Sequence, residues 1–164
     1  MRSAIYAAWA QSYRSGDDMI QIRLASALDA QAIAGLCDQL GYPTTVEQAR
    51  QRLEALLPRP EHAIYVALDA AGQVTGWIHL HGTHHLQAEP YAEIGGLVVD
   101  AAHTGQGIGA LLVQQGESWV VAQGYPQLRV RSNVIRAEAH KFYLKHGYSL
   151  HKSQHVFAKS LRPA

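Results

Sequence analysis

Residues 20–24 alternate apolar and polar side chains, with Ile20, Ile22 and Leu24 against Gln21 and Arg23, the period-2 signature of a strand. The period then turns helical, with Ile33, Leu36, Cys37 and Leu40 on one face of a helix that Ser26 or Asp29 caps and Gly41-Tyr42-Pro43 ends. Thr44 with Glu47 has the form of a capping box opening a second helix to about residue 57, closed by Pro58 and Pro60. Two strands, 63–68 and 73–81, flank the hairpin signal Asp69-Ala70-Ala71-Gly72. The polar, histidine-rich stretch 82–91 predicts a loop. A β-branched strand over 92–99 leads through a glycine run into a helix over 107–122. In that helix Ile108, Leu112, Gly116 and Trp119 recur at helical spacing, which makes Gly116 a close packing contact. A strand at 127–132, a helix over 136–146 ended by Gly147, and short strands at 148–150 and 156–161 complete the pattern.

The order β-α-α-β-β-β-α-β-α-β-β predicts an α/β (α+β) domain around a mixed central sheet. Residues 1–18 precede the periodic pattern and read as an extension, leaving 19–164 as the domain. A hydrophobic fraction of 48% and a charged fraction of 16% in 164 residues suit one globular core. The net charge of +1, with no lysine or arginine cluster, argues against a nucleic-acid partner. No apolar run approaches a membrane span, and the apolar patch at 4–10 is short for a signal-peptide core. Cys37 is the single cysteine, which excludes a disulfide framework and a thiolate zinc site and makes a reducing cytoplasm the expected location. The three tryptophans, Trp9, Trp77 and Trp119, read as core or interface aromatics. Ten histidines are many for this length, and His79 and His81 alternate on one predicted strand ahead of His84-His85. They lack carboxylates at ligand spacing, so no metal is expected.

The most informative stretch joins the strand at 92–99 to the next helix. Thr104, Gly105, Gln106, Gly107, Ile108, Gly109 and Ala110 set three glycines at alternate positions just where a helix starts. Strand, glycine turn and helix N-terminus in that order offer backbone N–H groups to a phosphate. A nucleotide P-loop would need Lys-Ser/Thr after its last glycine, and Ala110-Leu111 stands there instead. A dinucleotide fingerprint would need an acidic residue about 20 positions on, where Leu128-Arg129-Val130-Arg131 has none.

The run resembles the acyl-CoA pyrophosphate loop of the GNAT superfamily of N-acyltransferases, Q/R-x-x-G-x-G/A, with its glycines on Gly107 and Gly109 and with Thr104 at the Gln/Arg position. Ala92-Glu93-Ile94-Gly95-Gly96-Leu97-Val98-Val99-Asp100 is similar to the family's preceding strand. Asn133, Ala137, Phe142-Tyr143 and Gly147-Tyr148 are similar to its C-terminal signature. The resemblance runs over about 20–161. It implies six to seven strands, about four helices and a splayed strand pair that binds CoA.

The resemblance further implies acetyl-CoA as co-substrate and a primary amine, small or peptidic, as acceptor. The amine attacks the thioester directly in a ternary complex, through a tetrahedral intermediate. Such a reaction needs a base, an oxyanion donor and a proton for the leaving thiolate. Glu93 takes the position of the base, and a carboxylate at a sheet edge facing an apolar cleft suits that role. Leu97, Val98 and Val99 act through backbone groups that pair with pantetheine, and Gly95-Gly96 marks a bulge or a close ligand approach. Tyr143 takes the position of the general acid. Arg136, His140 and Tyr143 share one helix face, beside an apolar stripe of Ile135, Ala139 and Phe142 suited to the core. Asn133 hydrogen-bonds pantetheine or caps the tyrosine's helix. His81 and His84 flank the acceptor side, where a histidine can orient substrate or shuttle protons, and His103 can assist a CoA phosphate. A homodimer is possible by analogy. A different class, a non-catalytic acyl-CoA sensor on the same fold, is disfavoured by the joint presence of Glu93 and Tyr143.

Overall fold

The computed structural model describes residues 11–15 and 18–161. They form two compact units, one ending at Arg131 and the other beginning at Ser132. Trp9 and the apolar patch at 4–10 lie outside the described residues.

The first unit is built on a six-stranded sheet in sequence order: β1 (Gln11–Ser15), β2 (Asp18–Leu24), β3 (His62–Leu68), β4 (Val74–His85), β5 (Ala88–Val99) and β6 (Leu128–Val130). All neighbours pair antiparallel except β5 and β6, which run parallel, so the sheet is mixed as expected. The segment expected as an extension supplies β1, whose Gln11 pairs with Ile22.

Helices α1 (Ala30–Leu40) and α2 (Val46–Leu56) cover one face, packing Ala30, Ile33, Ala34, Ala49 and Leu53 against Ile64, Val66 and Leu68. Ser26 opens the first helical segment with a complete capping box to Asp29. Asp29 is also gripped by both outer nitrogens of Arg23 at 2.8 Å. Burial pushes the Asp29 carboxyl up, but Arg23 and the Ser26 amide outweigh it and hold the group below its ordinary value. The second capping box is one residue later than the sequence suggests, using Thr45 and Gln48. Thr44 is buried instead and donates its hydroxyl to the Tyr42 carbonyl.

Helix α3 (Ile108–Gln123) lies on the other face, with Ile108, Leu112, Gly116 and Trp119 all buried. A Cβ on Gly116 would stand 2.9 Å from a Leu80 methyl, so the glycine does permit close helix–sheet packing.

Two expectations are corrected. Residues 82–91 form no loop: β4 continues to His85, β5 begins at Ala88, and only Leu86 and Gln87 lie between. Polarity there reports exposure of the hairpin end, while the backbone ladder persists through Thr83↔Tyr91 and His85↔Ala88. In the second unit, α4 (Ala137–Lys145) ends before Gly147 (φ +84°) as expected, but no strand forms at 148–150 or 156–161. Residues 149–161 are all exposed, Val156 and Phe157 included. Apolar and β-prone side chains favour a strand, but a strand also needs a partner edge for its N–H and C=O groups, and among the described residues none is paired with these segments.

Candidate active site

Strand β5, which carries Glu93, is irregular on both edges. Against β4, Ile94 pairs with Leu80 and Gly96 with His79, which leaves Gly95 as the extra residue of a β-bulge. On its other edge β5 pairs with β6 only at Ala92↔Leu128, Glu93↔Arg129 and Ile94↔Val130. Beyond that point Leu97, Val98 and Val99 remain paired to β4 while, among the described residues, the β6 ladder has ended.

Glu93, just before the bulge, is 9% exposed. Its Oε2 accepts from Arg131 Nε at 3.1 Å, and its Oε1 lies 4.0 Å from His81 Nε2. The surroundings are therefore polar and ion-paired, which corrects the expectation of an apolar cleft. Register explains it: Glu93 faces His81 on β4 and Arg129 on β6, so one face of three strands gathers their polar positions. The Glu93 carboxylate holds the Arg131 guanidinium above its ordinary value. Arg129 stacks over the Tyr91 ring at 3.9 Å, completing a cationic margin around the carboxylate.

The same face carries three imidazoles. His62 pairs across to His81, and the rings of His62, His79 and His81 form a triangle with centroid separations of 5.2, 5.8 and 5.7 Å. His62 Nδ1 and His79 Nε2 are 3.0 Å apart and hydrogen-bonded. Burial, then the neighbouring His62 and His81, push His79 down to about 4, so it is neutral near pH 7. Among the described residues, no group of three or more His, Cys, Asp or Glu is placed to hold a metal ion. His84 is separate from this cluster. It packs edge-on against Tyr125 and lines an open cleft of about 530 Å³ at the hairpin end, away from Glu93.

The glycine loop is locally fixed. Asp100 accepts from the Ala102 amide at 2.9 Å, and Thr104 Oγ1 donates to the Ala101 carbonyl at 2.8 Å. The Ala101 amide donates to Gln39 Oε1 at 2.9 Å, tying the loop to α1. Gly105 (φ +81°) and Gly107 (φ +78°) adopt the left-handed conformation that other residues rarely tolerate. Gly107 is the N-cap of α3 and no side chain caps the helix, so the first-turn amides of Ile108, Gly109 and Ala110 have no side-chain acceptor. His103 Nδ1, one residue before Thr104, is buried without a partner. An uncapped sixteen-residue helix start behind a left-handed glycine turn fits a pyrophosphate. Gln106 is exposed in the same loop.

The second unit holds the other expected residues. Tyr143 on α4 packs its ring on Phe142 and Tyr148 at 5.2 and 5.4 Å between centroids. Burial pushes its hydroxyl up to about 12 against the opposing pull of Arg136, so it stays protonated throughout the neutral range. Asn133 Oδ1 accepts from the Ile135 amide at 3.2 Å, and its carbonyl accepts from the Arg136 amide, the local turn that launches α4. Ile135, expected on a buried stripe, is 81% exposed. It lies in the turn ahead of α4, where helical spacing has no force.

Three positions escaped sequence reasoning: His62, Arg131 as a partner of Glu93, and Gln39. Each acts across a long sequence separation, and only strand register or helix docking makes the contact. The alternation of Arg129 and Arg131 signalled a polar face, but not what it faces.

The Acetyltransferase (GNAT) family profile matches residues 30–148. The chain is 32% identical over 143 residues to the aminoalkylphosphonate N-acetyltransferase of Salmonella typhimurium, covering 86% of this chain and 91% of that protein. Among solved structures, an aminoglycoside antibiotic 6'-N-acetyltransferase from Acinetobacter baumannii superposes with a TM-score of 0.76 at 18% identity, covering 87% of this chain and 99% of the other. A Bacillus halodurans transcriptional regulator superposes at 0.73 with 22% identity, covering 85% and 99%. These two likenesses are of fold. No helix among the described residues is long and apolar enough to cross a membrane. The chain belongs to the GNAT acetyltransferase family and is an acetyl-CoA-dependent N-acetyltransferase.

Proposed function

We propose that the chain acetylates a short primary amine bearing an anionic group, an aminoalkylphosphonate being the best candidate, by direct attack on acetyl-CoA in a ternary complex. The observation that carries the proposal is Glu93: a buried carboxylate beside the bulge at Gly95, with Arg131 on one oxygen and His81 near the other. The acceptor class is supported by the likeness to the aminoalkylphosphonate N-acetyltransferase. Arg129 and Arg131, two residues apart on one face, offer planar donor forks suited to a phosphonate.

Acetyl-CoA supplies an activated acyl group on a thiol leaving group. Glu93 takes a proton from the incoming ammonium, and His81 and Arg131 fix the carboxylate's orientation. The edge of β5 at Leu97, Val98 and Val99, freed from β6, offers N–H and C=O groups to pantetheine, and one freed N–H polarises the thioester carbonyl. Gly105, Gly107 and the first-turn amides of α3 hold the pyrophosphate, with His103 beside them. Asn133 adds a hydrogen bond to pantetheine. Tyr143, protonated across the neutral range, supplies a proton to the departing sulfur as the bond breaks, and the second proton shed by the acylated nitrogen restores its hydroxyl by way of solvent.

An amine panel with thiol release as readout tests the acceptor. Aminoalkylphosphonates are expected to exceed alkylamines of equal length by at least roughly tenfold in kcat/KM, as loss of one charge-assisted pair would give. Equal rates would remove the anionic acceptor from the proposal. The Tyr143→Phe variant is expected to lower kcat by roughly tenfold to a hundredfold, leaving the KM for acetyl-CoA near wild type.

A further inference from the structure

An aminoalkylphosphonate brings an ammonium that must meet the base and an anion that must be held apart from it. Two arginines stand beside one carboxylate here, and a guanidinium committed to Glu93 is not free to grip a phosphonate as well. Resting on the readings of Glu93 as the base and of an anionic acceptor, we propose that Tyr91 divides the work between the two arginines. Its hydroxyl holds Arg131 against Glu93, and its ring holds Arg129 for the anionic group of the acceptor.

Strand geometry brings the groups together. Tyr91 and Glu93 are alternate residues of β5 and share a face, and Glu93 stands opposite Arg129 on β6. Both β5 side chains are buried. Arg131 follows the last residue of β6, past the final ladder pair Ile94↔Val130, and its side chain is 66% exposed. Its own strand therefore does little to fix the guanidinium. Two acceptors on β5 do so: Glu93 Oε2 takes Nε at 3.1 Å, and the Tyr91 hydroxyl takes a second hydrogen bond. That hydroxyl is anchored in turn, since His85 Nε2 lies 3.1 Å from it and the two rings stack at 5.7 Å. A guanidinium only donates, so Tyr91 Oη accepts from Arg131 and its own proton is left for His85 Nε2. With Arg131 kept on Oε2, Oε1 is the oxygen left to meet the ammonium.

Arg129 uses the other part of the same residue. Its guanidinium carbon lies 3.9 Å from the centre of the Tyr91 ring, and its Nε donates to Gln127 Oε1 at 2.8 Å. Stacking orients the plane and leaves the outer pair, Nη1 and Nη2, as the fork that a phosphonate can meet with two parallel hydrogen bonds. Tyr91, Gln127 and Arg129 line one open cleft of about 410 Å³. Exposed Glu89 borders the same cleft, where water screens it. Tyr91 and Glu93 are about 7 Å apart along the strand, a span that suits the two charged ends of a short acceptor. Arg131 is thereby assigned to positioning the base and Arg129 to specificity.

The test measures kcat and KM in the full chain for an aminoalkylphosphonate and for the alkylamine of equal length. Tyr91→Phe keeps the ring and removes the hydroxyl. It is expected to lower kcat by roughly three- to thirtyfold for both amines while the preference for the phosphonate persists. Arg131→Gln is expected to lower kcat similarly, and adding Tyr91→Phe to it to cost nothing further, a coupling that a merely structural role would not give. Arg129→Gln is expected to cut the preference by roughly tenfold or more, through the KM for the phosphonate. Tyr91→Leu removes ring and hydroxyl and is expected to show both losses; should it fold poorly, Arg129→Gln still tests the specificity half. Wild-type kcat in Tyr91→Phe, or a loss that adds in full to that of Arg131→Gln, would overturn the hold on Arg131. An undiminished preference in Arg129→Gln would remove Arg129 from the proposal. Either result leaves Glu93 as the base. Wild-type kcat in Glu93→Gln would instead overturn the base itself, and a wild-type enzyme with no preference would overturn the anionic acceptor.

Discussion

Successive residues of β4 live in different worlds. Ile78 and Leu80 point into the interface with α3 and are fully buried, and Gly116 is drawn against the Leu80 methyl. His79 and His81 point the other way, into a polar cluster with His62, Glu93 and Arg131. One strand therefore serves as a rigid floor and as a chemical wall. The close-packed side fixes the backbone, and that fixed backbone holds the imidazoles near the carboxylate. The bulge at Gly95 interrupts the ladder on the β5 side, and its missing side chain lets His79 and His81 pack close, since a Cβ there would stand 3.1 Å from His79 Nδ1 and 3.5 Å from His81 Nε2.

The comparison breaks most sharply at Glu93. Glu93→Gln keeps the shape and removes the proposed base, so on that proposal kcat is expected to fall by about 10²–10⁴. Folding should change little, as followed by thiol release beside a urea melt. On the packed face the outcomes reverse: Leu80→Ala is expected to cost about 2–5 kcal/mol in denaturant unfolding, because a fully buried side chain leaves a cavity under α3.

A subtler separation comes from pH. His79 titrates at about 4 in the fold and near 6.5 when unfolded. The unfolded chain thus binds more protons between those values. Stability from keeping His79 neutral is present above pH 6.5 and is lost as pH falls through 4, on the order of 3 kcal/mol in all. Tryptophan-monitored unfolding across that window checks it, and His79→Gln should flatten the loss. The smallest effect belongs to neither face: Arg50→Ala on α2 removes exposed ion pairs to Glu47 and Glu54 and is expected to change stability by less than about 1 kcal/mol.

Much of this was legible in the sequence because it is local. The glycine run had to lie between strand and helix, since alternate glycines at a helix start have few other uses, and Gly105 and Gly107 do take positive φ. Helical spacing of Ile108, Leu112, Gly116 and Trp119 marked the face of α3 that packs. Gly95-Gly96 signalled the bulge. What misled was polarity taken for irregularity at 82–91, where exposed histidines sit on a paired ladder, and short segments with apolar residues taken for strands at 148–150 and 156–161.

The sequence by itself determined most of the elements, the glycine turn between β5 and α3, and the family, because each rests on patterns within a few residues. Only the tertiary structure decided the company Glu93 keeps. His62 and Arg131 lie 31 and 38 residues away from it along the chain, and register alone sets which side chains of β3, β4, β5 and β6 share a face. A one-residue slip would send the histidines to the α3 side and the leucine and isoleucine to the site. The physical reason is that side-chain direction in a sheet depends on pairing between distant strands, which no local pattern encodes.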